Sequence, residues 1–255
     1  MDMSISEILE NLYQQYHTLE FIEDDPISIP HQFMGKEDIE ISGFWTATLA
    51  WGVRKSILKS ANEAMKRMDF APYQFILNAS EIEIRNFDNY VHRTFNGEDA
   101  KFYIKSLRNI YINEGGLESI FSSTLNSSDL NIANGLSNAY QVFFSIQHPA
   151  RTLKHFGNIQ KNSAAKRINM FLRWMVRKDD LGIDFGLWNK IKPCQLLCPL
   201  DLHSGNIARQ LGLLTRNMND YKATLELSQN LSTIDPIDPI RFDFALFGAG
   251  VNKHE

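Results

Sequence analysis

The segment DIEISGFWTATLAWGVRKSILKSANEAMKRM (38–68) indicates the fold class, because its pattern is helical on both sides of a turn at Gly52. Residues 38–50 carry almost no charge beyond their first turn, as expected of a helix that is buried on all sides. Residues 54–68 return to an amphipathic pattern. The segment therefore predicts two consecutive α-helices, the first of them in the core.

Helical periodicity also dominates the rest of the 255-residue chain, whereas its β-branched runs are short and irregular. We therefore predict an all-α fold that forms one two-lobed unit. Residues 38–145 are expected to form the first lobe, and residues 1–25 with 150–255 the second. Further helices are predicted over 4–21, from Pro72 onward, and over 99–113, 117–124, 130–146, 163–178, 203–212, 219–231 and 241–249.

Cysteine usage and hydropathy favour a reduced, membrane-free environment. Cys194 and Cys198 are too few for a zinc or iron–sulfur site, so we expect free thiols and no metal. The first ten residues, MDMSISEILE, are polar and acidic, and no run of 18 uncharged apolar residues occurs. We therefore expect a cytoplasmic protein with no membrane partner.

The charge distribution is uneven along the chain. A net charge of −4 argues against a nucleic-acid partner, since DNA binding depends on neutralising phosphates. However, the segment from Arg151 to Lys178 contains eight basic and no acidic residues, and it could provide a basic face for DNA. The alternative is that acids elsewhere in the fold pair with these charges.

The segment PLDLHSGNIARQLGL (199–213) places Asp201 just before a predicted helix. Aspartate is a favoured helix N-cap, so a purely structural role is one interpretation. The segment also resembles the helix-hairpin-helix-GPD DNA glycosylases, such as endonuclease III, which carry the pattern V-D-T-H-V-x-R-V-x-x-R-L. Here L-D-L-H is followed by Ile207-Ala208-Arg209 and Leu211-Gly212-Leu213. The resemblance implies that Asp201 stabilises positive charge on the sugar and helps to activate the nucleophile.

In SAAKRINMFLRWMVRK (163–178), Lys166 is expected one turn into a helix that Ser163 caps. Glycosylases of this superfamily that are also lyases attack the sugar C1′ with a lysine, and the resemblance gives that role to Lys166. Lys166 and Arg173 reproduce a seven-residue spacing of the archaeal 8-oxoguanine glycosylase branch, to which the similarity is closest. Nearby cations disfavour the charged form of a lysine, although an ordinary solvated lysine is the alternative.

The chain departs from the common superfamily pattern in two respects. The segment FGNIQKNSAAK (156–166) has no L-P-G-V-G hairpin, and the four-cysteine cluster of endonuclease III is absent, so no iron–sulfur cofactor is implied. The same resemblance assigns His203 and Arg173 to the substrate, and Lys161 and Arg167 to DNA.

The turn inside 38–68 resembles the superfamily turn that inserts a polar side chain into the duplex. Trp51, Arg54 and Lys55 occupy this turn and are therefore expected to contact DNA. Packing of Trp51 in the core is the alternative. Nearby, HRTFN (92–96) contains two hydrogen-bond donors, and the sequence suggests for them only a phosphate or partner contact.

In RFDFALFGAG (241–250), Asp243 and Phe247 are four residues apart and so share one helix face. In the archaeal branch an acid and an aromatic at this spacing grip the flipped purine, and the resemblance implies the same here. The alternative is that Phe247 belongs to the core and Asp243 to the surface.

Nearly the full chain also resembles an uncharacterised bacterial family, through LRWMVRKDDLGIDFGLW (172–188) and DPIDPIRFDFALFGAGV (235–251).

Our hypothesis is a monomeric glycosylase and abasic-site lyase that needs no cofactor and associates with the nucleoid when bound to DNA. It would excise an oxidised purine rotated out of double-stranded DNA into a cleft between the lobes. Two alternatives are a non-catalytic DNA-binding protein with this fold and a helical protein-interaction adaptor.

Overall fold

The structure, a computed structural model, describes residues 3–126 and 128–252, and most of these residues are helical. The predicted all-α class is therefore confirmed. The α-helices are α1 Ile5–Tyr16, α2 Glu20–Asp24, α3 Lys36–Leu49, α4 Arg54–Arg67, α5 Pro72–Asn78, α6 Glu81–Arg85, α7 Gly97–Asn113, α8 Leu117–Ser122, α9 Ala133–Phe143, α10 Lys166–Val176, α11 Leu202–Gln210, α12 Tyr221–Ile234 and α13 Asp243–Asn252. Short 3-10 helices cover Pro26–Ser28, Pro30–Gln32, Ala150–His155, Ile159–Lys161, Pro193–Gln195 and Pro239–Phe242.

One antiparallel hairpin interrupts this helical chain. Strand β1 is Val91–His92 and strand β2 is Phe95–Asn96, with His92 opposite Phe95. Each strand has only two residues, which is too short for an alternating pattern to appear in the sequence. The hairpin coincides with the HRTFN segment, for which no structure was predicted.

The chain forms two compact units. The first comprises the described residues of Met1–Glu23, Asn126–Ala133 and Gly157–Glu255, and the second comprises Asp24–Leu125 and Asn134–Phe156. Within the ranges 3–126 and 128–252, none of the helices combines the length and the hydropathy that a bilayer crossing requires.

In the second unit, α3 is the central helix. Every residue from Ile39 to Leu49 is buried, as the uncharged sequence of this segment predicts. Trp45 is fully buried and contacts the rings of Phe87, Phe95 and Tyr103 at centroid distances of 5.6 to 6.0 Å. Aromatic packing around α3 therefore fixes the positions of α7 and of the hairpin.

In the first unit, α13 packs against both α1 and α11. Two glycines of α13 allow this close approach. A Cβ atom at Gly248 would lie 2.3 Å from Tyr16 Cγ, and a Cβ atom at Gly250 would lie 2.8 Å from the backbone of His203. The start of α11 is therefore held directly against α13.

Candidate active site

The chain reverses direction just before α10. Asn162 and Ala165 both have left-handed backbone conformations, with φ of 60° and 48°. Ala165 is the N-cap residue and offers no capping side chain, while Ser163 Oγ accepts a hydrogen bond only from the Ala165 amide, at 3.2 Å. The predicted Ser163 cap is therefore wrong, because the left-handed residues delay the helix. Lys166 is the first residue of α10 rather than lying one turn inside it.

Asp201 is the N-cap residue of α11, as the sequence predicts. Its Oδ1 accepts a hydrogen bond from the Ser204 amide at 3.0 Å, and the Asp201 amide donates to Ser204 Oγ at 3.0 Å. Asn219 Nδ2 also donates to the Asp201 carbonyl, at 2.8 Å. These bonds fix the carboxylate of Asp201 at the start of the helix.

The side chains of Lys166 and Asp201 meet within the first unit. Lys166 Nζ lies 3.7 Å from Asp201 Oδ2, so the second carboxylate oxygen faces the amine while the first caps the helix. The two side chains are 25% and 23% exposed, which leaves the pair accessible to a ligand. Lys166 Nζ also lies 5.7 Å from the centroid of the Phe247 ring, a cation–π distance.

Phe247 connects the amine to the other predicted substrate residues. It is half-buried, and its ring meets the His203 ring edge to face at 6.3 Å between centroids. His203 Nδ1 lies 3.3 Å from the Gly250 carbonyl oxygen. One turn before Phe247, Asp243 begins α13. The structure therefore brings Phe247, His203 and Asp243 close to Lys166.

Asp243 and Arg173 form a buried ion pair in this region. Arg173 Nη1 donates to Asp243 Oδ2 at 2.5 Å, and its Nε donates to Asp184 Oδ1 at 3.3 Å. Burial raises the pKa of Asp243 to about 6, although the positive charges of Arg173 and Lys166 act against that rise. Both side chains of the pair are nearly inaccessible to solvent, so the pair belongs to the interior of the first unit.

The ion pairs extend one helical turn further along α10. Arg177 Nη1 lies 3.0 Å from Asp184 Oδ2, and Arg177 Nε donates to Asp238 Oδ2 at 2.8 Å. The sequence analysis did not identify Asp184 as part of the site. A signal was present, because Arg173 and Arg177 are four residues apart in the otherwise apolar stretch MFLRWMVR (170–177) and so require buried carboxylates.

The basic segment from Arg151 to Lys178 is therefore not one exposed face. Arg151 belongs to the second unit and pairs with buried Asp99. Arg173, Arg177 and Lys166 pair with carboxylates of the first unit. For these four residues the alternative interpretation is correct: carboxylates elsewhere in the fold pair with their charges.

The predicted DNA contacts belong to both units. In the first unit, Lys161 is exposed at the end of a 3-10 helix and Arg167 is half-buried in the first turn of α10. Trp51, Arg54 and Lys55 belong to the second unit, where Arg54 and Lys55 are exposed and begin α4. Trp51 is half-buried in the turn between α3 and α4.

Neither cysteine has a partner of the kind that a metal site needs. Cys194 and Cys198 are free thiols, and burial raises the pKa of Cys198 well above its usual range. In the part of the chain that the structure describes, no three His, Cys, Asp or Glu side chains are grouped as metal ligands are.

Comparison with known proteins gives one match. The model of the family described as "Protein of unknown function (DUF2400)" matches residues 25–252. No curated protein and no solved structure matches the chain. The match includes Lys166, Asp201, Asp243 and Phe247 and begins after α1 and α2.

Proposed function

We propose a function for this chain, which belongs to the DUF2400 family: it excises a damaged purine from double-stranded DNA, with Lys166 as the nucleophile. The observation that carries the proposal is the distance of 3.7 Å between Lys166 Nζ and Asp201 Oδ2. The two residues are 35 positions apart, and the starts of two different helices bring them together. A partly exposed amine beside a carboxylate suits attack on the sugar of a nucleotide.

The reaction would proceed by displacement at C1′. The neutral amine of Lys166 forms a bond to C1′ while the N-glycosidic bond breaks, and its electron pair leaves with the base, which takes up a proton. The attacking nitrogen then loses a proton, and its lone pair forms a C1′=N bond as the C1′–O4′ bond breaks. O4′ takes up a proton, which leaves a protonated Schiff base between Lys166 and the ring-opened sugar. Asp201 is close enough to accept the proton that the Lys166 ammonium must lose before attack, and its side chain is partly exposed, so the proton passes on to water and the carboxylate is restored before the glycosidic bond breaks.

Asp201 would also stabilise the transition state electrostatically. Positive charge develops on the sugar as the glycosidic bond breaks, and a fixed carboxylate lowers the energy of that charge. The hydrogen bonds from Ser204 and Asn219 hold Asp201 in place, so little reorganisation is needed during the reaction.

The surroundings of Lys166 favour a flat, aromatic substrate. Phe247 offers a half-buried ring with its centroid 5.7 Å from the amine, and the His203 ring meets it edge to face. An extruded base can stack on such a ring. We therefore propose that Phe247 and His203 bind an oxidised purine, with the buried Arg173–Asp243 pair fixing the start of α13 one turn before Phe247. The protein would act as a monomer in the cytoplasm, at the nucleoid.

Borohydride trapping tests this proposal directly. The full chain is incubated with a duplex that contains 8-oxoguanine, and sodium borohydride reduces any Schiff base to a stable covalent complex. We expect wild type to be trapped, Lys166→Gln not to be trapped, and Lys222→Gln to be trapped like wild type. Lys222 is the matched control because it is an exposed lysine of α12 in the same unit.

Two results would overturn the proposal. Equal trapping of Lys166→Gln and wild type would exclude Lys166 as the nucleophile. Salt-sensitive duplex binding, with neither trapping nor base release from a panel of oxidised purines, would indicate a non-catalytic DNA-binding protein instead.

A further inference from the structure

Two exposed turns of the second unit meet at one aromatic ring. The first turn joins α3 to α4 and contains Trp51, and the second is the β1–β2 turn, which contains Arg93. The guanidinium carbon of Arg93 lies 4.6 Å from the centroid of the Trp51 ring, a stacking distance. His92 meets the same ring edge to face, with centroids 6.1 Å apart.

The backbone of both turns is shaped around this stack. Arg93 has a φ of 56°, at a hairpin position where glycine, asparagine or aspartate is usual. Gly52 has a φ of 99°, and a Cβ atom there would lie 2.5 Å from Arg93 Nη1. Arg151 Nη2 also donates to the Thr94 carbonyl at 2.9 Å and so fixes the hairpin turn. A strained arginine in place of glycine indicates that its side chain is used.

The surface around the stack is exposed and lacks acidic residues in the two segments that form it. Arg93, Arg54 and Lys55 are exposed, and Val53 is 69% exposed. No Asp or Glu occurs in residues 41–62 or 89–97. Among the residues that the structure describes, Arg93 makes no ion pair, so its guanidinium is available to a ligand.

We propose that Arg93, supported by Trp51, is a stacking platform for an unpaired nucleobase of DNA, with Arg54 and Lys55 binding the adjacent phosphates. A guanidinium plane stacks on nucleobases, and neighbouring cations neutralise the backbone. An intact duplex hides the faces of its bases, so the platform requires an unpaired base. The group presented to DNA is therefore Arg93 rather than Trp51, because Arg93 is exposed and lies over the indole, whereas Trp51 is half-buried.

The choice of DNA as the partner rests on the proposed function, but the residues and their unit are different. Lys166 and Asp201 belong to the first unit, whereas Arg93 and Trp51 belong to the second. The stacking platform is therefore testable by binding alone, with DNA on which no base can be excised.

The test compares two fluorescent duplexes at low salt, one fully paired and one with a tetrahydrofuran abasic-site analogue opposite 2-aminopurine. We expect Arg93→Ala to weaken binding of the abasic duplex by about tenfold, because one stacked base is lost. Binding of the paired duplex should change by less than about threefold, and the quenching of 2-aminopurine seen with wild type should disappear. Arg85→Ala is the matched control, since Arg85 is an exposed arginine of α6 in the same unit.

Arg93→Lys separates stacking from charge. It keeps one positive charge but loses the planar guanidinium, so we expect near wild-type binding of the paired duplex with weakened binding of the abasic one. If Arg93→Ala weakened binding of both duplexes equally, Arg93 would contact a phosphate rather than stack on a base, and the platform proposal would be wrong. If Arg93→Ala left both affinities unchanged but lowered the stability of the protein, Arg93 would only shield the Trp51 ring. If wild type bound both duplexes equally well, the platform proposal would be wrong.

Failure of this inference and failure of the proposed function are distinguishable in the same variants. If wild type is trapped by borohydride but Arg93→Ala binds both duplexes normally, only the platform is wrong. If Arg93→Ala loses the preference for the abasic duplex but wild type is never trapped, only the glycosylase proposal is wrong.

Discussion

The two carboxylate oxygens of Asp201 have different partners. Its Oδ1 caps α11 by accepting from the Ser204 amide, while its Oδ2 faces Lys166 at 3.7 Å. The sequence suggested either a structural cap or a partner for the amine. Capping could be predicted because Asp before an amphipathic run is a local pattern. The meeting with Lys166 was expected only from the resemblance to the glycosylases, because local patterns do not show how two distant helices pack.

Asp201→Asn should separate these two roles. Asparagine caps helices as well as aspartate does, and the exposed ion pair is weak, so the free energy of unfolding should change by less than about 1 kcal/mol. Borohydride trapping should fall by about a hundredfold, since the negative charge beside Lys166 is lost. Urea denaturation and trapping kinetics measure the two effects.

Ser204→Ala is the matched control, because it removes the reciprocal cap and leaves the carboxylate in place. We expect it to lose about 1 kcal/mol of stability while trapping stays near wild type. If instead Asp201→Asn unfolds the protein, or traps at the wild-type rate, Asp201 is only a structural cap.

Arg173→Met should strongly destabilise the first unit. Arg173 is nearly inaccessible and lies between Asp184 and Asp243, so its removal leaves buried Asp243 without its hydrogen-bonded cation and leaves Asp184 with Arg177 alone. Breaking a buried pair in this way costs about 3 to 5 kcal/mol. Urea denaturation measures the loss, with Lys178→Met, at an exposed position two residues after α10, expected to cost less than about 0.5 kcal/mol. A similarly small loss for Arg173→Met would show that the pair contributes little.

The helices themselves were largely predictable, and their ends were not. The predicted segments 38–50 and 54–68 agree closely with α3 and α4. By contrast, the predicted helix 163–178 corresponds to α10, which spans Lys166–Val176. The left-handed conformation of Ala165, a residue with no intrinsic preference for it, shortens the helix and is imposed by tertiary packing. A Cβ atom at Gly157 would lie 2.7 Å from Ala165 Cα, which shows how closely the chain doubles back there.

Gly250→Ala should disturb the contact between α11 and α13. The new methyl group would lie 2.8 Å from the backbone of His203, so the first turn of α11 must move. We expect a loss of about 1 to 3 kcal/mol in the free energy of unfolding, together with slower trapping, because Asp201 caps the same turn. Val251→Ala, at the next position of α13, should leave trapping unchanged. Equal trapping by Gly250→Ala and wild type would show that the packing of α11 on α13 does not position Asp201.

Across the whole molecule, the net charge of −4 gives no sign of the buried ion pairs that both units contain. In the second unit, Asp99 is fully buried and faces Arg151, Thr152 and His155. Burial alone would raise the pKa of Asp99. That pKa is instead about 2, because His155, the Asn96 amide and Thr152 interact with the carboxylate. The sequence could not reveal this site, because its members come from two segments about 50 residues apart.

Asp99 should make the stability of the protein sensitive to acid. Its folded-state pKa lies below its ordinary value of 3.8, so its contribution is complete above about pH 4 and is lost as the pH falls toward 2. Asp99→Asn should therefore lower the free energy of unfolding by roughly 1 to 2 kcal/mol at pH 7. Urea denaturation should show this difference from wild type shrinking between pH 4 and pH 2. A difference that stays constant from pH 7 to pH 2 would contradict a depressed pKa.

The most direct test of the central claim is to locate the covalent bond between protein and DNA. The borohydride-reduced complex is digested with trypsin and nuclease, and mass spectrometry identifies the peptide that carries the sugar remnant. We expect a single adduct, on Lys166. An adduct on any other lysine, or none with any oxidised-purine duplex, would contradict it.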